Sequence, residues 1–271
     1  MLTSQLLKNY LLPIRHREII WQLVRREILS RYRGSILGLA WSLITPILML
    51  LVYTSVFVGI FKLKWPAGEM GGGIEFAIQL FTGLLIFNLF AETVTRAPTL
   101  VLEQPNLVKK VVFPLEILPW VSLGAALFQF TVGVIILLVA QSIFRSIPTT
   151  FAFFGIIYLI SFIPLLLGIM YWLSALGIFI RDVSQIITVT VTLMLFLSPV
   201  FYPISALSEN LQFWMWLNPL TTIIEGLRMT ILANQEPNWG SLAIFTLISI
   251  SMTLSGIWFF HSTRKFFADV V

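Results

Sequence analysis

Between Gly34 and Phe61 the chain carries no charged side chain (GSILGLAWSLITPILMLLVYTSVFVGIF). At about 1.5 Å rise per residue, a helix of that length more than crosses a hydrocarbon core about 30 Å thick. The chain therefore enters a bilayer here. The rest of the composition agrees: 58% of residues are hydrophobic and 11% charged, with 23 Phe and 9 Trp. Soluble domains are about one quarter charged, so this composition predicts an all-α polytopic membrane protein. With no cysteine present, disulfides and thiolate metal sites are excluded. Residues Met1 to Leu12 have only short apolar pairs, broken by Lys8 and Asn9 and followed by Pro13, so no cleavable signal peptide is expected.

The stretch before the charge-free run, residues 14–33, is basic but interrupted by apolar side chains. On a helical wheel Ile19, Ile20, Trp21, Leu23, Val24, Ile28 and Tyr32 sweep one arc, while Gln22, Arg25, Arg26 and Arg33 take the other. That pattern predicts an amphipathic helix in the membrane interface, with its arginines toward headgroups or a partner. Glu27 and Arg31 fall in the apolar arc, but at a spacing of four they can pair with each other.

Six spans are expected, over residues 36–61, 76–95, 117–143, 150–180, 183–201 and 239–261, all within one transmembrane domain, 1–271. The second is the weakest by length, and the fourth is long enough to tilt or to kink at Pro164. The segment 99–114 lies in a stretch with several prolines, which cannot cross lipid as an intact helix. It reads as a cytoplasmic loop with short helical pieces. Residues 204–234 hold two apolar pieces, each too short to span, split at Asn218-Pro219. They are expected to be two short re-entrant helices between spans five and six.

Six spans place both termini on one side of the membrane. Of the 17 Lys and Arg residues, thirteen fall on that side, and Lys62, Lys64, Arg145 and Arg228 fall opposite. Basic residues gather on the cytoplasmic side, so both termini are expected to be cytoplasmic in a multi-pass plasma-membrane protein. In this setting the net charge of +5 reports topology and implies no nucleic acid partner.

No phosphate-binding loop of the form GxxxxGK[ST] occurs, so the chain has no nucleotide site of the usual kind. Only His16 and His261 are present, and no zinc-protease or nucleophile-elbow motif occurs. Glu92, Glu116, Asp182 and Glu225 sit at expected span ends, without catalytic spacing. No catalytic or metal site is predicted. Aromatic rings stack on sugar faces, and Tyr53, Phe57 and Phe61 recur every four residues along span one. With Phe81, Phe87, Phe90, Phe196 and Phe201 they are candidates for a glycan pathway, and lipid-facing packing is the alternative.

Several stretches then carry a resemblance. Arg31 to Gly38 (RYRGSILG) with Trp41 and Pro46 is similar to the start of the first span of ABC-2 type permeases, in the branch that exports O-antigen, capsule or teichoic acid polysaccharides. Asn106 to Pro119 (NLVKKVVFPLEILP) resembles that family's loop between spans two and three. Arg181-Asp182-Val183, Ser198 to Pro203 (SPVFYP) and Asn218-Pro219 follow in the family's order.

The resemblance implies a permease subunit that pairs with a second copy of itself and with two separate ATPase subunits, which would hold the ATP and magnesium. No cofactor is implied on this chain. The cargo would be a polysaccharide on a polyprenyl (undecaprenyl) diphosphate lipid. Arg25, Arg26, Glu103, Gln104, Asn106, Lys109 and Lys110 would form the ATPase-coupling surface. Arg31, Arg33, Arg96 and Arg181 are the arginines near the cytoplasmic mouth that could bind the lipid diphosphate, because the guanidinium fork matches phosphate oxygens. Membrane anchoring explains any one of them equally well. An exporter of a drug or small lipid would share the fold, and a membrane enzyme acting on lipid-linked sugars is a further alternative.

Orientation is directly testable in this cysteine-free chain. Cysteines placed at Gly72 and Asn210 are expected to react with a membrane-impermeant maleimide outside intact cells, and one at Lys109 is not. Outside labelling at Lys109 would reverse the topology.

Overall fold

The structure is a computed structural model and describes residues 10, 11, 13–60, 73–108, 113–144 and 150–270. Among these the protein is helical, with no strand. Helix α1 (Arg17–Arg31) is followed by α2 (Trp41–Tyr53), which widens into a π-turn at Thr54–Ile60. Next come α3 (Gly73–Arg96), a four-residue α4 (Pro105–Val108) and α5 (Leu118–Phe144). Then follow α6 (Gly155–Phe179), α7 (Val183–Phe196), α8 (Glu209–Leu217) and α9 (Pro219–Leu227), the last running on as a π-turn, Arg228–Leu232. Helix α10 (Trp239–Thr263) and the short α11 (Phe267–Val270) end the chain.

Five segments are long and apolar enough to cross a membrane: Gly38–Val56, Gly73–Thr99, Leu115–Phe144, Thr150–Phe179 and Trp239–Phe266. The expected fifth span differs. Helix α7 has 14 residues and stops at Phe196, so it is about 21 Å long. It ends there because Ser198 and Pro199 break the pattern, and Val200 N–H turns back to the Ser198 carbonyl at 2.7 Å.

The weakest expected span is the hub. Within α3, 78% of the apolar window is buried inside the protein, against 11% for the first span. Even its polar residues Gln79, Thr82 and Thr93 are buried against other helices rather than facing lipid. Thr82 and Thr93 return their hydroxyl hydrogens to carbonyls one turn earlier, Ile78 and Leu89, at 2.9 and 2.8 Å.

Helices α6 and α10 pack so closely that a side chain on either facing glycine would strike backbone. A Cβ on Gly168 would lie 2.6 Å from the Met252 carbonyl carbon, and one on Gly256 would lie 2.4 Å from the Gly168 oxygen. Trp172 stacks on Phe259 at 4.1 Å, and Thr253 donates to the Pro164 carbonyl at 2.5 Å. This close packing of small residues is how apolar helices associate inside lipid.

Both roots of the 99–114 segment are tied to that pair. A Cβ on Gly177 of α6 would meet the Pro98 oxygen at 2.1 Å. At the far root Arg264, which follows α10, pairs with Glu116 at 2.8 Å, and Tyr171 donates to the Glu116 carbonyl at 2.9 Å. Tyr10 joins the same knot. Its carbonyl accepts from Trp120 at 2.8 Å, and burial pushes its phenol up to about 12.

Gly168→Val should therefore lower the thermal midpoint of the detergent-solubilised protein strongly, at the exceptional end of single substitutions, above about 4 kcal/mol. Gly240→Ala, whose Cβ would meet only the Asn238 side chain at 3.6 Å, should not. Equal midpoints would show that the α6–α10 contact is looser than described.

Candidate functional site

Helix α1 lies against α5, where Gly124 leaves room for the buried Val24; a Cβ there would be 2.8 Å from a Val24 methyl. This seats the hydrophilic end of α1 beside the end of α3. Each helix carries a glutamate four residues before an arginine, Glu27 and Arg31 on α1 and Glu92 and Arg96 on α3. The pairs cross. Arg31 pairs with Glu92 and, at 3.5 Å, with Glu27, while Arg96 pairs with Glu27 and reaches Glu103 at 3.9 Å.

The quartet stands between two cavities. On one side, a cavity of about 480 Å³ is walled by Arg31, Glu92, Asn88, Gln129, Tyr53 and Phe81, among others. Tyr32 donates to the Gln129 side chain at 3.1 Å, and Gln129 donates to the Ser42 carbonyl at 3.0 Å, closing the seam between α2 and α5. On the other side, a cavity of about 340 Å³ is rimmed by Arg26, Glu27, Arg33, Arg96, Glu103 and Gln104.

The arginines expected to meet phosphate therefore divide. Arg31 and Arg96 are already paired with carboxylates, and Arg33 borders the smaller cavity beside Arg96. Arg181 is exposed at the turn before α7 and lines neither cavity. Of the expected coupling residues, Arg26, Glu103 and Gln104 rim the smaller cavity, and Arg25 and Asn106 are exposed. Lys109 and Lys110 lie outside the described residues.

Among the described residues, the aromatic candidates do not form one face. Tyr53 and Phe81 share the larger cavity, whereas Phe87 and Phe90 are buried in the helical core. Phe196 is 63% exposed and stands 6.0 Å from Phe201. Phe61 and the side chain of Phe57 lie outside the described residues.

The carboxylates that an enzyme reading would need are spread among separate arginines. Glu92 pairs with Arg31, Glu116 with Arg264 and Glu225 with Arg228, while Asp182 is exposed. Among the described residues no group of three His, Asp or Glu could hold a metal ion.

Two features escaped the sequence reading. The repeated E-x-x-x-R spacing at Glu27 and Glu92 is a visible signal for an interhelical quartet, but only the pair within α1 was read from it. Arg228, counted as a charge on the far side of the membrane, is 4% exposed and held by Glu225 at 2.8 Å. It contributes no free charge to the topology balance. The visible signal was the glutamate three residues earlier on an otherwise apolar helix.

Residues 18–232 match the ABC-2 type transporter family, a region that holds the quartet, both cavities and the broken segment after α7. The chain belongs to that family. It is thus a multi-pass membrane component of a transport system. The chain is similar to the O-antigen export system permease protein RfbA of Myxococcus xanthus, 27% identical over 259 residues, which covers 94% of this chain and 96% of the relative. It is also similar to a permease of the same name from Klebsiella pneumoniae, 22% identical over 255 residues, covering 94% and 95%.

The quartet has a pH signature. Burial raises the Glu27 carboxyl above its ordinary 4.5; Arg96 and Arg31 pull it down and Glu92 pushes it up, and the net direction is upward. The folded protein thus holds this proton more tightly than the unfolded chain does. The group favours the fold below the ordinary glutamate value, and that contribution is lost as pH rises through the raised one. Glu27→Gln should flatten the fall in thermal midpoint between pH 4.5 and neutrality. An unchanged slope would mean that Glu27 is solvated.

Proposed function

We propose that the chain is the transmembrane permease subunit of an exporter that moves a polyprenyl-diphosphate-linked polysaccharide across the plasma membrane, driven by a separate ATPase subunit. The observation that carries this reading is the arginine-rimmed cavity at the quartet, in a chain that matches O-antigen export permeases along 94% of its length. A lipid diphosphate needs fixed cations beside an apolar wall, and here Arg33 and Arg96 stand over Leu23, Leu100 and Leu107.

Six spans with both termini cytoplasmic accommodate this arrangement. Helix α7 is the fifth, completed toward the outer surface by α8 and α9 as a re-entrant pair. Once the buried Arg228 is set aside, only Lys62, Lys64 and Arg145 of the 17 basic residues stand on the outer side. A second copy covers the first span and α7, whose large apolar residues are exposed: Leu48, Leu51 and Val52 on one, Val189 and Leu193 on the other. Two ATPase subunits dock on the exposed arginines of α1 and on the 99–114 segment, and they hold the ATP and magnesium. Motion at that dock separates α1 from α3. Arg31 and Arg96 then exchange carboxylate partners for phosphate oxygens, and the two cavities join.

In proteoliposomes containing the permease and its ATPase, a lipid-linked glycan should stimulate ATP hydrolysis. Arg33→Lys keeps the charge but loses the planar fork, so stimulation should require about tenfold more glycan, the equivalent of about 1.4 kcal/mol. Arg25→Glu with Arg26→Glu should instead uncouple hydrolysis from export while the permease remains in the membrane. Parental behaviour of all these variants would place both the phosphate site and the dock elsewhere.

A further inference from the structure

Helix α7 ends inside the span it begins, and the chain there leaves carbonyl groups with no helical partner. Inside a membrane such groups must be satisfied by protein or by a water-filled cavity. Here side chains do it. The Tyr202 hydroxyl donates to the Phe196 carbonyl at 2.7 Å, and the Asn218 amide donates to the Leu197 carbonyl at 2.9 Å. Asn218 also accepts from the Leu220 N–H at 2.9 Å, so one side chain ends α7 and starts α9.

The next two carbonyls belong to Arg228. Its guanidinium donates to the Pro199 oxygen at 2.6 Å and the Val200 oxygen at 3.0 Å. It donates twice more to the Gln79 oxygen of α3, at 3.2 and 3.0 Å, and once to Glu225 at 2.8 Å. Five N–H groups thus make five bonds to three segments. Gly83 makes the approach possible, because a Cβ there would lie 2.9 Å from an Arg228 nitrogen and 3.1 Å from the Val200 Cα.

We infer that Arg228 is a positioning residue for transport: it keys the α8–α9 pair and the break after α7 onto α3, and so keeps the outer end of the path closed between cycles. The inference rests on the reading of the chain as an export permease. A lysine has three donors on one nitrogen and cannot reach carbonyls on two sides at once. Without the fork, the Pro199 and Val200 carbonyls are left to attract water, and the break opens.

The chain has no cysteine, so a single reporter can be placed at Val200, which is fully buried. Val200→Cys would be combined with Arg228→Lys or, separately, with Gly83→Ala, which crowds the guanidinium but leaves its charge. Each permease would be reconstituted with its ATPase in vesicles loaded with a fluorescent dye. Both variants should label with a membrane-impermeant maleimide at least about tenfold faster than the Val200→Cys parent, a shift equal to about 1.4 kcal/mol. They should also leak dye without ATP and hydrolyse more ATP per glycan exported. If Arg228→Lys fails to accumulate, Gly83→Ala decides.

Parental labelling, leak and ATP-to-glycan ratio in the folded variants would overturn the inference, even with a lowered thermal midpoint, because Arg228 would then be packing only. Failure of the parent complex to export any lipid-linked glycan would instead sink the functional reading, and the labelling rates would still report on the keying.

Discussion

Every backbone carbonyl held away from water needs a donor, and most of the unusual residues in this protein answer that requirement. A continuous helix meets it internally, so the long apolar helices α5 and α6 carry few polar side chains. Where the helix stops early, after Phe196, the donors come from Tyr202, Asn218 and Arg228. The buried cation is tolerated because its own donors are used and Glu225 offsets its charge. Removing one partner of such a buried set leaves the others uncompensated, which costs far more than a surface charge is worth.

The same rule separates the arginines into two kinds. Those on the exposed face of α1, Arg25 and Arg26, are solvated and available to a partner. Arg31 and Arg96 are instead crossed with Glu27 and Glu92, and an ion pair partly removed from water is exchanged only for another anion of comparable match. A diphosphate is such an anion. The pairing is therefore compatible with phosphate binding at these positions, but any such binding would require α1 to separate from α3.

Much of the architecture was legible in the sequence because it depends on local properties. Charge-free runs, prolines and the Asn218-Pro219 break located the long helices, the 99–114 segment and the two short helices α8 and α9. What depends on which side of a helix faces protein was not legible. Helix α3 looked weak by length, and nothing in its order of residues shows that Gln79, Thr82 and Thr93 are buried against other helices and that it is the hub. Arg228 looked like a surface charge because linear order cannot show that Gly83, far away in sequence, opens a space for it. The described aromatic candidates are spread over several places for a related reason. Recurrence every four residues sets a shared face within one helix but says nothing about which helices face each other.

Helix α3 links the two polar devices. Its Glu92 and Arg96 take part in the crossed quartet, and its Gln79 carbonyl receives the guanidinium of Arg228. From Gln79 to Arg96 is about 26 Å along the axis, close to the thickness of a hydrocarbon core. A helix packed on most of its surface does not stretch or bend easily, so a shift imposed at the Arg96 end is delivered at the Gln79 end. The break after α7 is keyed to that end through Gly83 and Arg228, and α1 is keyed to the other through Glu27. One rigid element thus joins the surface where an ATPase would push to the place where the path would open, and no flexible relay between them is required.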